Sequence, residues 1–469
     1  MTEQQIRALG PALAEYLDEF ADCFVSADTR YHLKEYVRGQ LSNLPRKSVE
    51  PIAHLADVPP RTLQEFLSLS AWDEGRLRDT VQRLVARDHA DAQAVAIVDE
   101  SGHAKKGTKT ACVHRQYCGA TGKIDNCVMS VHLCYASFDG RFRAMLDSDL
   151  FLPEHGWDDD AKRRRAAGIP DALAYRAKHH VALEQVRHAV MDNGMHFGWV
   201  TADEWYGEKP AFVEGLEALG LRFVLEIPRN LMGWAREPAD ADVPRGEVQH
   251  LARWSTPMLR QPWVDFHVKD AGTGAMVWEV RAAPFWMRRG RSGVVGPYWL
   301  VVARDRLDQG EVKYFLSNAG AGVPLEVIVH VAFGRWPVER CIEDEKSELG
   351  LGHFECRKYP AVLRHLRLTQ VSHLFLARQA DGLAGGKSGG DGVPGARRVP
   401  RAAGRVGAGR RGGPGPAAGQ GVACHPRDAG AQPGRPRVAR EGASARAAGH
   451  GNPRRGAAVL HPAAELVAL

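Results

Sequence analysis

Aromatic residues are missing from the last part of this chain: all 36 Phe, Trp and Tyr residues lie before position 381 in a sequence of 469. A stretch without them lacks the material of an ordinary core, and Gly, Ala, Arg and Pro occupy 63 of the final 89 positions. So little apolar surface cannot offset the entropy lost in ordering a backbone. Residues 380–469 therefore read as a disordered tail. Long apolar runs are lacking too. No stretch approaches the ~20 residues needed to cross a bilayer. The opening Met1-Thr2-Glu3-Gln4-Gln5 has no basic segment leading into an apolar one. Both absences predict a cytoplasmic protein with no membrane partner. The eight cysteines include no Cys-x2-Cys pair, which speaks against a zinc site and a disulfide framework. Basic charge is also scarce outside the tail. The tail's fourteen basic residues exceed its five acidic ones by nine, so of the chain's net +6 the first 380 residues carry −3. Overall charge is no argument for nucleic-acid binding here.

What is present begins with helices. Leu9, Leu13, Leu17 and Phe20 keep helical spacing, as do Leu77, Val81, Leu84 and Val85. Residues 1–90 thus read as a helical N-terminal domain. Within it, residues 48–56, a turn at 57–60 and residues 61–67 have the form helix, turn, helix, which can offer Arg61, Thr62 and Gln64 to a DNA groove with Arg46 and Lys47 just ahead. A plain helical hairpin fits that pattern equally. From residue 94 the period becomes that of strands. Residues 94–98 are apolar and stop at Asp99; residues 111–117 and 126–135 follow around a turn at 119–122, predicting a three-stranded antiparallel meander. Residues 158–193 read as helix with Lys162-Arg163-Arg164-Arg165 on a solvated face, and residues 197–202 as another strand, stopping at Asp203. Further strands are expected at 222–227, 263–268, 276–280, 298–303 and 313–317, then helices at 324–332 and 335–349. The predicted fold class is α+β (mixed α/β), with a core in two parts at 91–220 and 321–379, a β-rich insertion at 221–320 and the tail.

Two strands that each end on an acid are the first chemical clue. Hard divalent cations want oxygen ligands, and carboxylates at strand ends are held rigidly enough to converge. If the two strands are neighbours, Asp99 and Asp203 meet at one edge of the sheet. Turns also favour Asp for purely structural reasons. A third acid is available in Arg335-Trp-Pro-Val-Glu339-Arg-Cys-Ile-Glu343-Asp-Glu345-Lys346, where Arg335, Glu339 and Lys346 share one helical face. An acid flanked by two cations suits a place where metal and phosphate come together; an ordinary salt-bridged helix face has the same composition. Glu343, one turn on, is the rival ligand. Lys105 and Lys106, one short loop after Asp99, are the candidates outside that helix for contact with phosphate. Trp199, Trp205, Trp286 and Trp299 are assigned to packing, with Trp286 beside Arg288, Arg289 and Arg291 the one placed to touch DNA. His103, His114 and His132 have no recurring ligand spacing.

Arg335-x3-Glu339-x6-Lys346 resembles the later part of the Tyr-x2-Arg-x3-Glu-x6-Lys signature of bacterial insertion-sequence DDE transposases. Ala96-Ile-Val-Asp99-Glu100-Ser101 with Lys105-Lys-Gly107 is similar to the first-aspartate region of one branch of that family, and Thr201-Ala-Asp203-Glu-Trp-Tyr-Gly207 to its second. Lys346-Ser-Glu-Leu-Gly-Leu-Gly-His-Phe-Glu355 is similar to the segment after the glutamate, so the resemblance spans residues 20–378. It implies an RNase H-like core in which Asp99, Asp203 and Glu339 bind two Mg²⁺ or Mn²⁺ for in-line attack of water or a DNA 3′-hydroxyl on a phosphodiester. It implies Arg335 and Lys346 on the DNA backbone, a β-rich insertion between the second and third acids, and a homodimer acting on the double-stranded inverted terminal repeats of an element and on target DNA. A non-catalytic DNA-binding descendant of a transposase would need the helical domain but no metal. A hydrolase of small phosphoesters would need the acids but not the surrounding cations. Where the signature has tyrosine this chain has Ala332, with Phe333 beside it. Similarity fades near Leu376, and the tail reads as a shifted-frame translation of GC-rich DNA, which would make this a decayed copy.

Overall fold

The computed structural model describes residues 3–385, except 240–244, 272–273, 291–292 and 309, together with residues 397–399. The expectations of a disordered and out-of-frame tail lie outside the described residues, apart from 380–385, which end a helix, and 397–399, which form a short strand. Among the described residues no helix is long and apolar enough to cross a membrane.

The chain starts with five helices: α1 (Glu3–Asp18), α2 (Ala27–Leu41), α3 (Val49–Leu55), α4 (Pro60–Ser68) and α5 (Glu74–Asp88). Local chemistry sets their starts. Ser26 and Thr29 form a capping box on α2, and the Asp73 side chain accepts from the Arg76 amide at the head of α5. Four strands follow, β1 (Val95–Ala104), β2 (His114–Cys118), β3 (Lys123–Ala136) and β4 (Arg143–Leu150), then helices α6 (Ala161–Ala167) and α7 (Lys178–Met191). Next come β5 (Trp199–Ala202), α8 (Glu204–Gly207), α9 (Pro210–Ala218) and β6 (Phe223–Ile227). The stretch up to α12 contains β7 (Met232–Trp234), β8 (Gly246–Glu247), α10 (Val248–Trp254), α11 (Thr256–Leu259), β9 (Val264–Ala271), β10 (Gly274–Arg289), β11 (Gly293–Asp305) and β12 (Val312–Ser317). The described residues close with α12 (Leu325–Phe333), α13 (Trp336–Ser347), α14 (Tyr359–Gly385) and β13 (Arg397–Val399).

The strands join one mixed sheet, and its centre runs β4-β3-β1-β5-β6. β1 is antiparallel to β3 and β3 to β4, whereas β5 runs parallel to β1 and β6 parallel to β5. This is the RNase H-like arrangement the resemblance implied. The expected meander is corrected in order: β3 lies between β1 on one side and β2 and β4 on the other, so the first two strands do not pair as a hairpin. Residues 223–227, counted with the insertion from sequence, supply the outer parallel strand of this centre, and β12, β11, β10 and β9 extend the sheet beyond it. The sheet is covered on both faces. Ala94, Ala96 and Val98 pack with α7, α9 and the N-terminal helices, while Val95 and Ile97 pack with Val338 and Cys341 of α13 and with α12. Alternation along a strand thus divides two apolar cores.

The N-terminal helices wrap the closing helix. The Tyr16 hydroxyl donates to the Val371 carbonyl at 2.8 Å, Gln40 Nε2 to Thr369 Oγ1 at 2.8 Å, and the Tyr36 hydroxyl meets His365 Nδ1 at 2.8 Å. Lys47, read from sequence as part of a basic pair facing DNA, is instead buried. Its ammonium donates to the carbonyls of Gln40 at 2.7 Å and Ser42 at 2.6 Å, and to that of Glu348 at the end of α13. One cation so satisfies carbonyls at the C-terminal ends of two helices. Its neighbour Arg46 pairs with Glu355 at 2.6 Å. Arg164 is corrected likewise: it is buried, donating to Asp158 and to the carbonyls of Pro170 and Leu173 rather than facing solvent.

Two buried histidines give this architecture a pH dependence. His365 lies between Tyr36 and the Gly350 carbonyl, and His132 between the hydroxyls of Ser130 and Ser148. Burial pushes His365 down to about 4 and His132 down to about 3. The unfolded chain takes up these protons below about 6.5, so the stability they contribute is complete above that pH and is lost as pH falls toward 4 and 3. Urea denaturation should register a slope of about 1.4 kcal/mol per pH unit for each histidine. The His365→Asn variant should have a shallower slope between pH 6 and 4; an unchanged slope would show that His365 does not carry it.

Candidate active site

Strand alternation directs two acids to one place. Val95 and Ile97 face α13, so Asp99, two residues further along β1, faces it too. The parallel register sets Ile97 opposite Thr201, and two residues beyond each stand Asp99 and Asp203. Asp203 follows the last residue of β5 and caps α8, accepting from the amides of Trp205 at 3.1 Å and Tyr206 at 3.3 Å. That double anchor fixes its carboxylate. β1 does not stop at Asp99 as expected. It continues to Ala104, paired with β3, while its pairing with β5 is confined to residues 95–97. Asp99 therefore sits where the parallel pairing ends and the sheet splits open.

Glu339 comes from the first turn of α13 and lines, with Asp99, Asp203, Glu343 and Lys346, an open cleft of about 650 Å³. Arg335, just ahead of the helix, joins two of the acids. Its Nη1 donates to Asp99 Oδ2 at 2.8 Å and its Nη2 to Glu339 Oε1 at 2.7 Å. Glu343 is engaged differently, accepting from Arg340 at 3.0 Å and standing 66% exposed. The guanidinium thus distinguishes Glu339 from its rival. Burial pushes the Asp99 carboxyl up to about 6; Arg335 and the Glu100 amide pull it down, Asp203 and Glu339 push it further up. Asp203 is raised by the same burial against the pull of Arg335. Lys346 is lowered, again by burial. As the side chains stand, no three His, Cys, Asp or Glu among the described residues come close enough to hold a metal ion. The guanidinium is the cation they share.

The lysines of the 105–106 pair part company. Lys106 is exposed. Lys105 donates to the carbonyls of Gly352 at 3.1 Å and Phe354 at 2.8 Å, with its ammonium 3.4 Å from the centroid of the Phe354 ring. Burial lowers it to about 8. It ties the segment after α13 to the end of β1, a role sequence proximity to Asp99 did not suggest. Several neighbours also escaped the sequence reading. Glu100 accepts from Lys178 Nζ at 2.7 Å, and the fully buried Tyr206 directs its hydroxyl toward Glu100 at 3.5 Å. Tyr206 lies inside the Asp203 motif, which was the available signal. Trp199 is buried and Trp299 donates to the Ala319 carbonyl, as packing residues should, but Trp205 is 37% exposed with Lys209 4.8 Å from its ring centroid.

A family profile for DDE superfamily endonucleases matches residues 19–263, more than half of the chain. The chain belongs to that family. The matched span of this DDE family member holds Asp99 and Asp203 and stops before Glu339, which lines the same cleft and bonds Arg335. The chain is also similar to a protein of Microchaete diplosiphon described as "Probable transposase for insertion sequence element IS701", with 26% identity over 364 residues, covering 76% of this chain and 86% of that one.

Gly207, the last residue of the second-aspartate motif, has a steric reason to be glycine. A methyl group there would overlap the carbonyl oxygen of Glu226 on β6, because α8 lies against that strand's backbone. Gly207→Ala should push α8, and Asp203 at its head, outward by about 1 Å, a misplacement that costs about 10² in rate. Strand-cleavage rates on an unchanged DNA substrate check this; a variant within threefold or so of the parent would show that α8 absorbs the methyl without moving Asp203.

Proposed function

We propose that this chain is the DNA transposase of an insertion sequence, cleaving phosphodiesters and transferring strands at inverted terminal repeats, and working in the cytoplasm as a homodimer on double-stranded DNA. The observation that carries the reading is the convergence of Asp99, Asp203 and Glu339, from β1, the end of β5 and α13, on one open cleft beside Arg335 and Lys346. The donor set fits Mg²⁺ or Mn²⁺: all three are hard carboxylates, two already hold a cation, and burial with the neighbouring acids keeps the Asp99 carboxyl raised even with Arg335 bonded to it. Asp99, Asp203 and Glu339 would hold two ions, which when bound supply Lewis-acid activation of the attacking and leaving oxygens.

The chain's own residues do the rest. Asp203, tied by its oxygen to two amides of α8, is a preset ligand. Glu339 is 52% exposed and bonded to Arg335, and exchange of that bond lets it follow the substrate. Lys346 faces the cleft and Lys106 faces solvent, and both suit phosphate, as does Arg335 with its planar fork. Lys105 serves as an anchor for the segment following α13. The similarity to an insertion-sequence transposase over most of the chain supports the same reading.

The test is strand cleavage at the ends of the DNA element flanking the gene, with Mg²⁺ or Mn²⁺ and again with EDTA. Cleavage that needs the metal is the expected result. Binding to the terminal repeats without cleavage under any metal condition would favour a non-catalytic DNA-binding protein of transposase descent.

A further inference from the structure

We propose that Arg335 is a resident counter-ion that keeps divalent metal out of the acidic cleft until a DNA phosphate draws the guanidinium away, so that DNA binding and metal loading strengthen each other. This rests on reading Asp99, Asp203 and Glu339 as the metal ligands. One planar cation bonds both outer members of the triad, Asp99 at 2.8 Å and Glu339 at 2.7 Å. Arginine stays charged at any working pH, so the bridge cannot be relieved by losing a proton. A divalent ion reaching Asp99 and Glu339 must therefore displace two charge-assisted hydrogen bonds.

The geometry also provides a way out. The Arg335 side chain is 26% exposed and its Glu339 partner 52%, so the bridge can be reached from the cleft. A phosphodiester offers the guanidinium the same kind of fork-to-oxygen partner that the carboxylates give it. Lys346, further along α13, lines the cleft without bonding to either acid, so it can receive phosphate first. Removing Arg335 from between Asp99 and Glu339 leaves two carboxylates facing each other beside Asp203, an arrangement that a divalent cation stabilises. By linkage, the factor by which DNA tightens metal binding equals the factor by which metal tightens DNA binding.

The experiment follows the electron paramagnetic resonance signal of free Mn²⁺ during titration of the full chain, with and without a duplex bearing the element's own end. For the parent, DNA should tighten Mn²⁺ binding by about 5- to 150-fold, the usual range for coupled sites. Arg335→Gln should bind Mn²⁺ more tightly by a similar factor without DNA, and DNA should no longer improve it. Arg335→Lys, which keeps the charge but not the fork, should fall between, and provides the measurement if the glutamine variant does not fold. Equal Mn²⁺ affinity of the parent and Arg335→Gln without DNA overturns the inference, provided that Asp99→Asn abolishes binding in both. If Asp99→Asn leaves Mn²⁺ binding intact, the metal-site reading fails and takes the inference with it.

Discussion

Asp99→Asn is expected to abolish strand cleavage and, in metal-free buffer at neutral pH, to make the folded chain more stable. The first effect follows from removing a ligand from a constellation whose members act as one unit, where single losses cost about 10³-fold or more. The second follows from the site's own electrostatics. Burial, helped by Asp203 and Glu339 and opposed by Arg335, holds the Asp99 carboxyl at about 6, above its ordinary value of 3.8. A carboxyl raised on folding favours the folded state when protonated. Its contribution is present below pH 3.8 and lost as pH rises through about 6. Asparagine avoids that loss. The difference in unfolding free energy between the variant and the parent should therefore grow from pH 4 to pH 8 by roughly 1–3 kcal/mol, since each tenfold change in proton affinity on folding is worth about 1.4 kcal/mol. Thermal denaturation of both proteins in EDTA across that range makes the measurement. A difference that does not change with pH would mean that the parent carries no strained charge at Asp99.

Arg367→Met should be the most destabilising single change away from the cleft. Arg367 on α14 is 4% exposed and pairs with Asp147 of β4, which is 2% exposed. Asp149, also on β4, is raised by burial and held back by the same guanidinium. Removing the arginine leaves Asp147 buried without its cation, and breaking a buried pair from one side costs about 3–5 kcal/mol. That is a large part of the ~5–15 kcal/mol that holds a domain together. Replacing both partners, as in Arg367→Leu with Asp147→Val, should recover most of the loss, because the charges and their desolvation disappear together. Urea midpoints of the single and double variants against the parent test the pair; a single-variant cost below about 1 kcal/mol would assign Arg367 a minor role.

These two sites differ in how much the sequence disclosed. The acids ending two apolar runs were legible because period-2 alternation is local, and it determines which way Asp99 and Asp203 face once the two strands are neighbours. Helical spacing likewise put Arg335, Glu339 and Lys346 on one face. β4 was not legible. Its sequence, Arg143-Ala-Met-Leu-Asp-Ser-Asp-Leu150, carries acids where a buried strand has apolar residues, and the cation that pairs with the buried Asp147 comes from α14, more than 200 residues away in sequence. The same cause hid Lys47, Lys105 and Arg164. A lysine or arginine in sequence looks solvated, and the carbonyls that accept from these three lie in turns and helix ends, within ten residues for Arg164 and partly or wholly more than 200 residues away for Lys47 and Lys105. Asp99-Glu100-Ser101-Gly102 resembled the end of a strand because its residue types favour turns, yet pairing with β3 carries the strand through it. Local preference lost to a tertiary partner.

The wrapping of α1 and α2 around α14 bears on when the protein can fold during its own synthesis. The bond from Tyr16 to Val371 closes a loop of 355 residues, and those from Tyr36 to His365 and from Gln40 to Thr369 close loops of 329. Domains usually condense in the order in which they leave the ribosome. Here the first helices to emerge must wait, with Tyr36 and Gln40 unpaired, until translation has passed residue 371, and at ~5–20 residues per second that delay is on the order of 20 seconds to a minute. The earliest part of the chain is among the last to be finished.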